Sequence, residues 1–391
     1  MTAACTPLYL DYASGTPPAP EVIEAMTACL TGAASAANAG SPHQLGRRAA
    51  AIVEQARAQL AELLNVPPAT LVWTSGATES CNLAVAGAAR FRAHRGRHLV
   101  TVRTEHKAVT DTFRALENDG FEVSWLTPGT NGLLALAELE AALRTDTQLV
   151  SVMHVNNETG VVQDIEAIGA LCRARGILFH CDAAQSAGKL PLDLGVLPID
   201  LLSLSGHKLY GPQGIGALYI AARPATGVKP LMHGGGQERG LRPGTPAVPL
   251  IAGLGAAAAL AARRLAADAV AMRELNRALW NGIRELPGIH RNGAAEHCWP
   301  GILNVSAEGV HGESLLLALE PLCVARGSAC NASSGEPSFV LRALGLGDAL
   351  AQSAIRFSFG RDTTPADIEK ACDAYTSAVM QLRRLAPGGA A

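Results

Sequence analysis

A chain of 391 residues, 48% hydrophobic and 17% charged, can bury a large core and is long enough for two domains, which excludes the disordered and fibrous classes. Its 32 basic and 34 acidic side chains leave a formal charge of −2, so nothing draws it generally to nucleic acid or to an anionic bilayer. Nine cysteines, an odd number with no CxxC pair, fit a reducing compartment and mostly buried thiols, and exclude a disulfide framework or a structural zinc site.

Met1 to Leu8 lacks the basic-then-apolar order of a signal peptide. No apolar run is expected to approach a membrane span, since alanine-rich stretches such as Ala256 to Ala259 are soon broken by Arg263 and Arg264. A soluble cytoplasmic protein is the expectation. Gly46 to Leu64 has apolar residues three and four apart with Arg47, Arg48, Glu54, Arg57 and Glu62 between them, which predicts an amphipathic helix. Leu71 to Thr74 then reads as a strand, broken by Gly76, and Thr78 to Arg90 as a helix whose start faces the strand ends. Further strands are expected at Leu99 to Val102, Glu122 to Leu126, Leu149 to Val155, Leu178 to Asp182, Leu201 to Leu204 and Ala217 to Ile220, with helices between most of them. The alternation predicts a mixed, mainly parallel seven-stranded sheet wrapped by helices. Beyond the turn-rich segment from His233 to Pro249, an alanine-rich helix is expected to run to about Leu286 and bridge to a smaller domain. There, strands at Ile302 to Ser306 and Ala354 to Phe359 and helices at Glu313 to Leu319, Ser338 to Leu344 and Pro365 to Leu382 make an α+β unit. The expected division is 16–258 for the large domain and 259–391, with 1–15, for the small one.

Two polar residues end apolar strands. Asp182 closes the run from Ile177 to Cys181, and Lys208 follows Leu201 to Leu204. In an open α/β sheet, ligands bind at the carboxyl ends of strands, so a lone acid and a lone lysine there share a candidate site. Pyridoxal phosphate needs that pair: an amine to bind its aldehyde and a carboxylate to keep its ring nitrogen protonated. Ser205, Gly206 and His207 add donors for a phosphate, and Gly211, Gly214 and Gly216 allow close backbone approach. Gly214-Ile-Gly216 is no dinucleotide fingerprint, because a strand pattern follows it and no third glycine opens a helix.

The run Asp200-Leu-Leu-Ser-Leu-Ser-Gly-His-Lys208 with Gly214-Ile-Gly216 resembles the lysine signature of the class V aminotransferase family. Leu10-Asp-Tyr12, Thr74 to Glu79, Thr104-Glu-His-Lys107, His154-Val-Asn-Asn-Glu158, Gly234 to Arg239 and Arg326-Gly-Ser-Ala-Cys330 resemble the cysteine desulfurases within it, in family order over nearly the whole chain. The resemblance implies a fold type I large domain and a bound pyridoxal 5'-phosphate. Lys208 would hold the cofactor and move the substrate Cα proton. Asp182 would pair with the ring nitrogen, Gln185 would bond the phenolic oxygen with Asn157 on the same side, and His106 would stack on the ring and assist proton transfer. Ala77, Thr78, Ser205 and His207 would hold the phosphate, joined by Thr245 from the second subunit of a homodimer. Arg356 would grip the substrate carboxylate, helped by Asn38, after which Ala39 stands where the family commonly has proline.

Cys330 decides the reaction that this resemblance implies. It stands in the small, polar segment Gly327-Ser-Ala-Cys-Asn-Ala-Ser-Ser-Gly335, which reads as a loop, whereas Cys172, Cys181 and Cys372 lie in helix or strand patterns and read as core. The thiolate would take sulfur from L-cysteine as a persulfide, leaving L-alanine, and deliver it for iron-sulfur clusters or for tRNA or DNA thiolation. No resident metal is expected, although Cys330 could ligate a cluster transiently. The chain stops soon after Leu385, short of the extension with which housekeeping bacterial members dock the scaffold, so a cluster scaffold, a sulfur carrier and a DNA-modification system all remain as acceptors. A selenocysteine lyase or aminotransferase on the same fold is the rival enzyme reading, distinguished by the Cys330 loop. A non-catalytic interaction module is disfavoured by the intact Lys208, Asp182, His106 and Gln185.

Overall fold

The computed structural model describes residues 7–31, 37–224, 226–327 and 336–385. In chain order the strands are β1 (Leu8–Tyr9), β2 (Leu71–Thr74), β3 (His98–Val102), β4 (Glu122–Leu126), β5 (Thr147–Ser151), β6 (Leu178–Asp182), β7 (Leu201–Ser205), β8 (Gly216–Ile220), β9 (Ile289–Arg291), β10 (Ile302–Ala307), β11 (Leu322–Cys323) and β12 (Ile355–Ser358). Seven of them form one sheet in the order β2-β8-β7-β6-β5-β3-β4. Within it β8 is antiparallel to both β2 and β7, and the other pairings are parallel. The buried strands β2, β3, β5, β6 and β7 carry mostly apolar and small polar side chains, with His98, Gln148, His180 and Asp182 the exceptions, as suits strands covered by helices on both faces. The chain therefore has an α/β fold with a mainly parallel central sheet.

Two of the hydrophobic cores are linked by one long helix. One packs Val53, Leu60, Val100, Val150, Phe179, Leu202 and Leu204 beneath the large sheet. The other packs Leu10 with Leu303, Val305, Ile355, Phe357 and Tyr375, around the three-stranded antiparallel sheet β12-β10-β9. The helix Val248–Ile283 joins them, with Ile251, Leu254, Ala257 and Ala261 in the first core and Met272, Leu275, Leu279 and Ile283 in the second. The extreme N-terminal segment joins the second core through β1, which pairs in parallel with β11.

Three expectations change here. By length and composition the helix Val248–Ile283 could cross a membrane, contrary to the reading that no run approaches a span; its apolar residues instead fill the two cores. The strand expected from Leu149 to Val155 ends at Ser151. Beyond it the Val152 and His154 amides still bond the carbonyls of His180 and Asp182, while the chain turns so that Met153 and Asn157 wall the cavity described below and Val152 and Val155 stay buried in the cores. Cys372 is only half-buried, against the Val248–Ile283 helix where Gly282 leaves it room, whereas Cys172 and Cys181 are buried.

Candidate active site

The carboxyl ends of β2, β3, β6 and β7 open into a cavity of about 470 Å³. Ala77, Thr78, His106, Asn157, Asp182, Gln185, Ser205, His207, Lys208 and Arg356 all line it. These residues span most of the sequence and meet because each follows a strand end or, for Arg356, lies in β12, whose sheet packs against that edge.

One end is built for an anion. The helix Ala77–Phe91 starts at the cavity wall, so its first backbone amides and the positive end of its dipole face in. Its N-cap, Gly76, has φ 154°, and a Cβ on Gly216 would stand 2.5 Å from the Leu204 carbonyl and 2.7 Å from the Gly76 Cα, so both glycines are required for the close approach of β8 to this turn. Ser205 Oγ and His207 Nδ1 are 2.9 Å apart. Burial, with the charges of Lys208 and Lys189, pushes the His207 imidazole down to about 4, so it is neutral at physiological pH and serves as a hydrogen-bonding group. Glu79 braces the turn by accepting from the Ser75 amide at 2.7 Å and from Arg242 Nε at 2.9 Å.

The far end is acidic and buried. Asp182 is 4% exposed, and its Oδ1 accepts the Ala184 amide at 2.9 Å. Burial raises its pKa, against the opposing pull of that amide, His106, Cys81 and Lys208, so the site gains from a cation placed beside the carboxylate. His106 caps the helix Lys107–Asn118, its Nδ1 accepting the Ala108 amide at 3.1 Å, which puts the ring proton on Nε2. Burial lowers the His106 pKa, so the ring is held neutral in the cavity wall. Beneath these groups the fully buried Glu105 accepts the Met153 amide, and burial together with Asp182 raises its pKa well above the usual carboxylate range.

Between the two ends lie the amine and the guanidinium. Lys208 Nζ donates to the carbonyls of Ala13 at 2.6 Å and Ser14 at 2.8 Å. Gln185 Nε2 donates to the same Ala13 carbonyl at 2.7 Å. Arg356, 1% exposed, is aimed by three contacts: Asp11 Oδ1 at 2.6 Å, Ser14 Oγ at 2.7 Å and the Asn157 carbonyl at 2.7 Å.

Two expected site residues lie apart from this cavity, and one lies outside the described residues. Asn38 is exposed, its Oδ1 accepting the Gly40 amide at 2.9 Å in a local turn. Thr245 is exposed and lines no part of the cavity. Cys330 lies outside the described residues. Among the described residues no group of three or more His, Cys, Asp or Glu side chains is gathered as metal ligands. The sequence reading missed Asp11, Ser14, Glu105, Gln213 and Lys189 as builders of the site; Asp11 and Glu105 stood within motifs already noted, which was the signal that could have found them.

The residues fit pyridoxal phosphate: a helix start with hydroxyl and imidazole donors suits its phosphate, a buried carboxylate short of positive charge suits its ring nitrogen, and an amine between them suits its aldehyde. Comparison with known proteins agrees. The model of the class-V aminotransferase family matches residues 8–371. The cysteine desulfurase IscS of Escherichia coli is 52% identical over 382 residues, covering 97% of this chain and 95% of its own, and that of Proteus mirabilis is equally similar. Among solved structures, a NifS-like protein superposes with a TM-score of 0.87 at 34% identity over 96% of this chain and 99% of its own. SspA in complex with cysteine superposes with a TM-score of 0.80 at 41% identity, covering 90% and 99%. The chain belongs to the class-V aminotransferase family, and within it to the pyridoxal-phosphate-dependent cysteine desulfurases.

Proposed function

We propose that this desulfurase converts L-cysteine to L-alanine, with Cys330 receiving the sulfur as a persulfide destined for iron-sulfur cluster assembly or thiolation of tRNA or DNA. The observation that carries the reading is the convergence of Lys208, Asp182, His106, Gln185 and Arg356 on one cavity. When bound, pyridoxal phosphate supplies the electron sink that makes the substrate Cα proton removable. Asp182 would hold the proton of the ring nitrogen. The Lys208 amine takes the Cα proton and returns it, with His106 Nε2–H at hand for the second transfer. Arg356, aimed by Asp11, Ser14 and the Asn157 carbonyl, binds the substrate carboxylate. Ala77, Thr78, Ser205 and His207 would hold the phosphate. The Cys330 thiolate attacks the substrate sulfur; an S–S bond forms, the Cβ–S bond breaks, and its electron pair takes up a proton to become the methyl group of alanine.

The wider reading includes a homodimer, with Thr245 of one subunit donating to the other's phosphate. Its exposure outside its own cavity supports that role. It includes a large domain of 16–258, a small one of 259–391 with 1–15, a cytoplasmic location, a scaffold or carrier protein as acceptor, and a supporting role for Asn38 toward the substrate. Mass spectrometry after brief exposure of the enzyme to L-cysteine is expected to find one added sulfur on the peptide containing Cys330, and Cys330→Ser should retain cofactor but lose desulfuration. Sulfur mapped elsewhere, or undiminished desulfuration by the serine variant, overturns the assignment. Comparing alanine release from cysteine and selenocysteine separates the desulfurase from a selenocysteine lyase.

A further inference from the structure

Behind the wall formed by Ala13 and Gln185 lies a second, smaller cavity of about 30 Å³, and Lys189 stands in it. After β6 the chain makes one tight turn, the Ala187 amide bonding the Ala183 carbonyl at 2.8 Å and the Lys189 amide that of Ser186 at 3.0 Å. Gln185 and Lys189 therefore sit four residues apart on the same side. Lys189 Nζ donates to Gln185 Oε1 at 3.0 Å, while Gln185 Nε2 donates to the Ala13 carbonyl at 2.7 Å. The carboxamide is thus held at both ends. A flip would set its NH2 against the lysine amine and its oxygen against the carbonyl, losing both bonds.

Resting on the pyridoxal phosphate reading of the main cavity, we propose that Lys189 is a positioning residue for the cofactor: from behind the wall it locks the Gln185 carboxamide, so that the cavity is offered the second N–H of Gln185 as a donor. A donor there favours an ionised oxygen on the ring, whereas the flipped carbonyl would repel one. Burial, with the charges of Lys208 and Arg356, lowers the Lys189 pKa to about 7. The lock survives this titration because a neutral amine still donates and the Ala13 carbonyl, which can only accept, holds the carboxamide NH2 in either state. His207 also feels the lysine from the cavity side, while Tyr12, Tyr210 and Asp268 face it across the smaller cavity, Asp268 being engaged by Arg361 at 2.7 Å and Arg264 at 3.1 Å.

The test is the pH titration of the visible absorbance of full-length enzyme reconstituted with pyridoxal phosphate, with folding checked by melting of the cofactor-free protein. Lys189→Met should raise the midpoint by about one pH unit, because the ionised ring oxygen loses its donor. It should also weaken cofactor affinity about tenfold, the effect of one hydrogen bond. Lys189→Gln, which keeps an N–H donor, should titrate as the wild type does. In a Gln185→Leu background, Lys189→Met should add nothing, since its effect runs through the carboxamide. Lys189→Ala is the second variant should the methionine not fold, and should shift the midpoint the same way. A wild type that binds the cofactor while Lys189→Met or Lys189→Ala leaves the midpoint unmoved, or moves it equally in Gln185→Leu, overturns the inference and spares the cofactor reading. A folded wild type that takes up no pyridoxal phosphate sinks both.

Discussion

The Asp11 carboxylate and the Arg356 guanidinium meet at 2.6 Å although 345 residues separate them, tying the N-terminal segment to β12 at the floor of the cavity. The arginine is 1% exposed and its Nε finds no partner among the described residues, so the aim of the fork depends on Asp11, Ser14 and the Asn157 carbonyl. Removing one partner of a buried pair strands the other charge, at a cost of about 3–5 kcal/mol. Asp11→Ala should cost about 2 kcal/mol, less than that range because two other acceptors remain and the Asp11 side chain is 21% exposed. In steady-state kinetics KM for cysteine should rise about tenfold while kcat changes little, since a misaimed fork weakens carboxylate binding before it touches proton transfer. An unchanged KM would detach Asp11 from substrate binding.

Lys208 presents a different balance. Its amine donates to two carbonyls at the mouth of the N-terminal segment, and one of them, that of Ala13, also receives Gln185. Lys208→Ala should therefore abolish alanine formation and the visible absorbance of bound cofactor, yet melt within a few degrees of the wild type, because Ala13 keeps a donor. Alanine release at the normal rate would refute the assignment of the lysine.

How much of this was legible beforehand follows from the range of each interaction. β6 and β7 could be read because an apolar run ends on Asp182 in one and on the Ser205 to Lys208 polar cluster in the other, a purely local signal. The end of β5 could not, since Val152 and Val155 stay apolar to fill the cores and Met153 to wall the cavity, so the apolar run outlasts the strand. Two-residue strands such as β1 and β11 carry no periodicity of their own; Leu8 and Tyr9 are strands only because Leu322 and Cys323 arrive beside them. The same limit hid Lys189. Four residues from Gln185 in sequence, it joins the site only because the Ala13 segment folds against Gln185 beside it.

His180 sits in the middle of the large sheet, Nδ1 at 2.8 Å from Ser151 Oγ on one neighbouring strand and Nε2 at 2.9 Å from Ser203 Oγ on the other. Burial pushes its imidazole from the ordinary 6.5 down to about 3. Below pH 6.5 the unfolded chain binds a proton at this residue that the folded chain refuses until about 3, so stability present above 6.5 is lost as the pH falls through that window. His180→Gln should flatten this acid limb in a series of melts between pH 6.5 and 4, whatever it costs at neutral pH. A variant whose melting temperature falls with acid as steeply as the wild type's would show that His180 contributes little to a limb it shares with His154 and His207.

Gly216 tests the proposed phosphate end of the cavity without touching any side chain assigned to it. β8 runs antiparallel to β2 and β7, pairing Gly216 with Thr74 on one side and Ser205 on the other, so it is wedged between the Gly76 turn and the end of β7. A Cβ at this position would meet the Leu204 carbonyl at 2.5 Å and the Gly76 Cα at 2.7 Å, both of them backbone that cannot rotate aside. Gly216→Ala must then push apart the strands that carry the start of the Ala77–Phe91 helix and Ser205, spreading the donors around the anion. Overpacking of this kind costs about 1–3 kcal/mol in stability. The expected signature is a loss of affinity for pyridoxal phosphate larger than the loss for pyridoxal, which lacks the phosphate, measured by equilibrium titration of the cofactor-free protein. Equal losses for the two ligands would mean that the strain spreads through the whole cavity, and no loss for either would show that β8 can shift without disturbing the helix start.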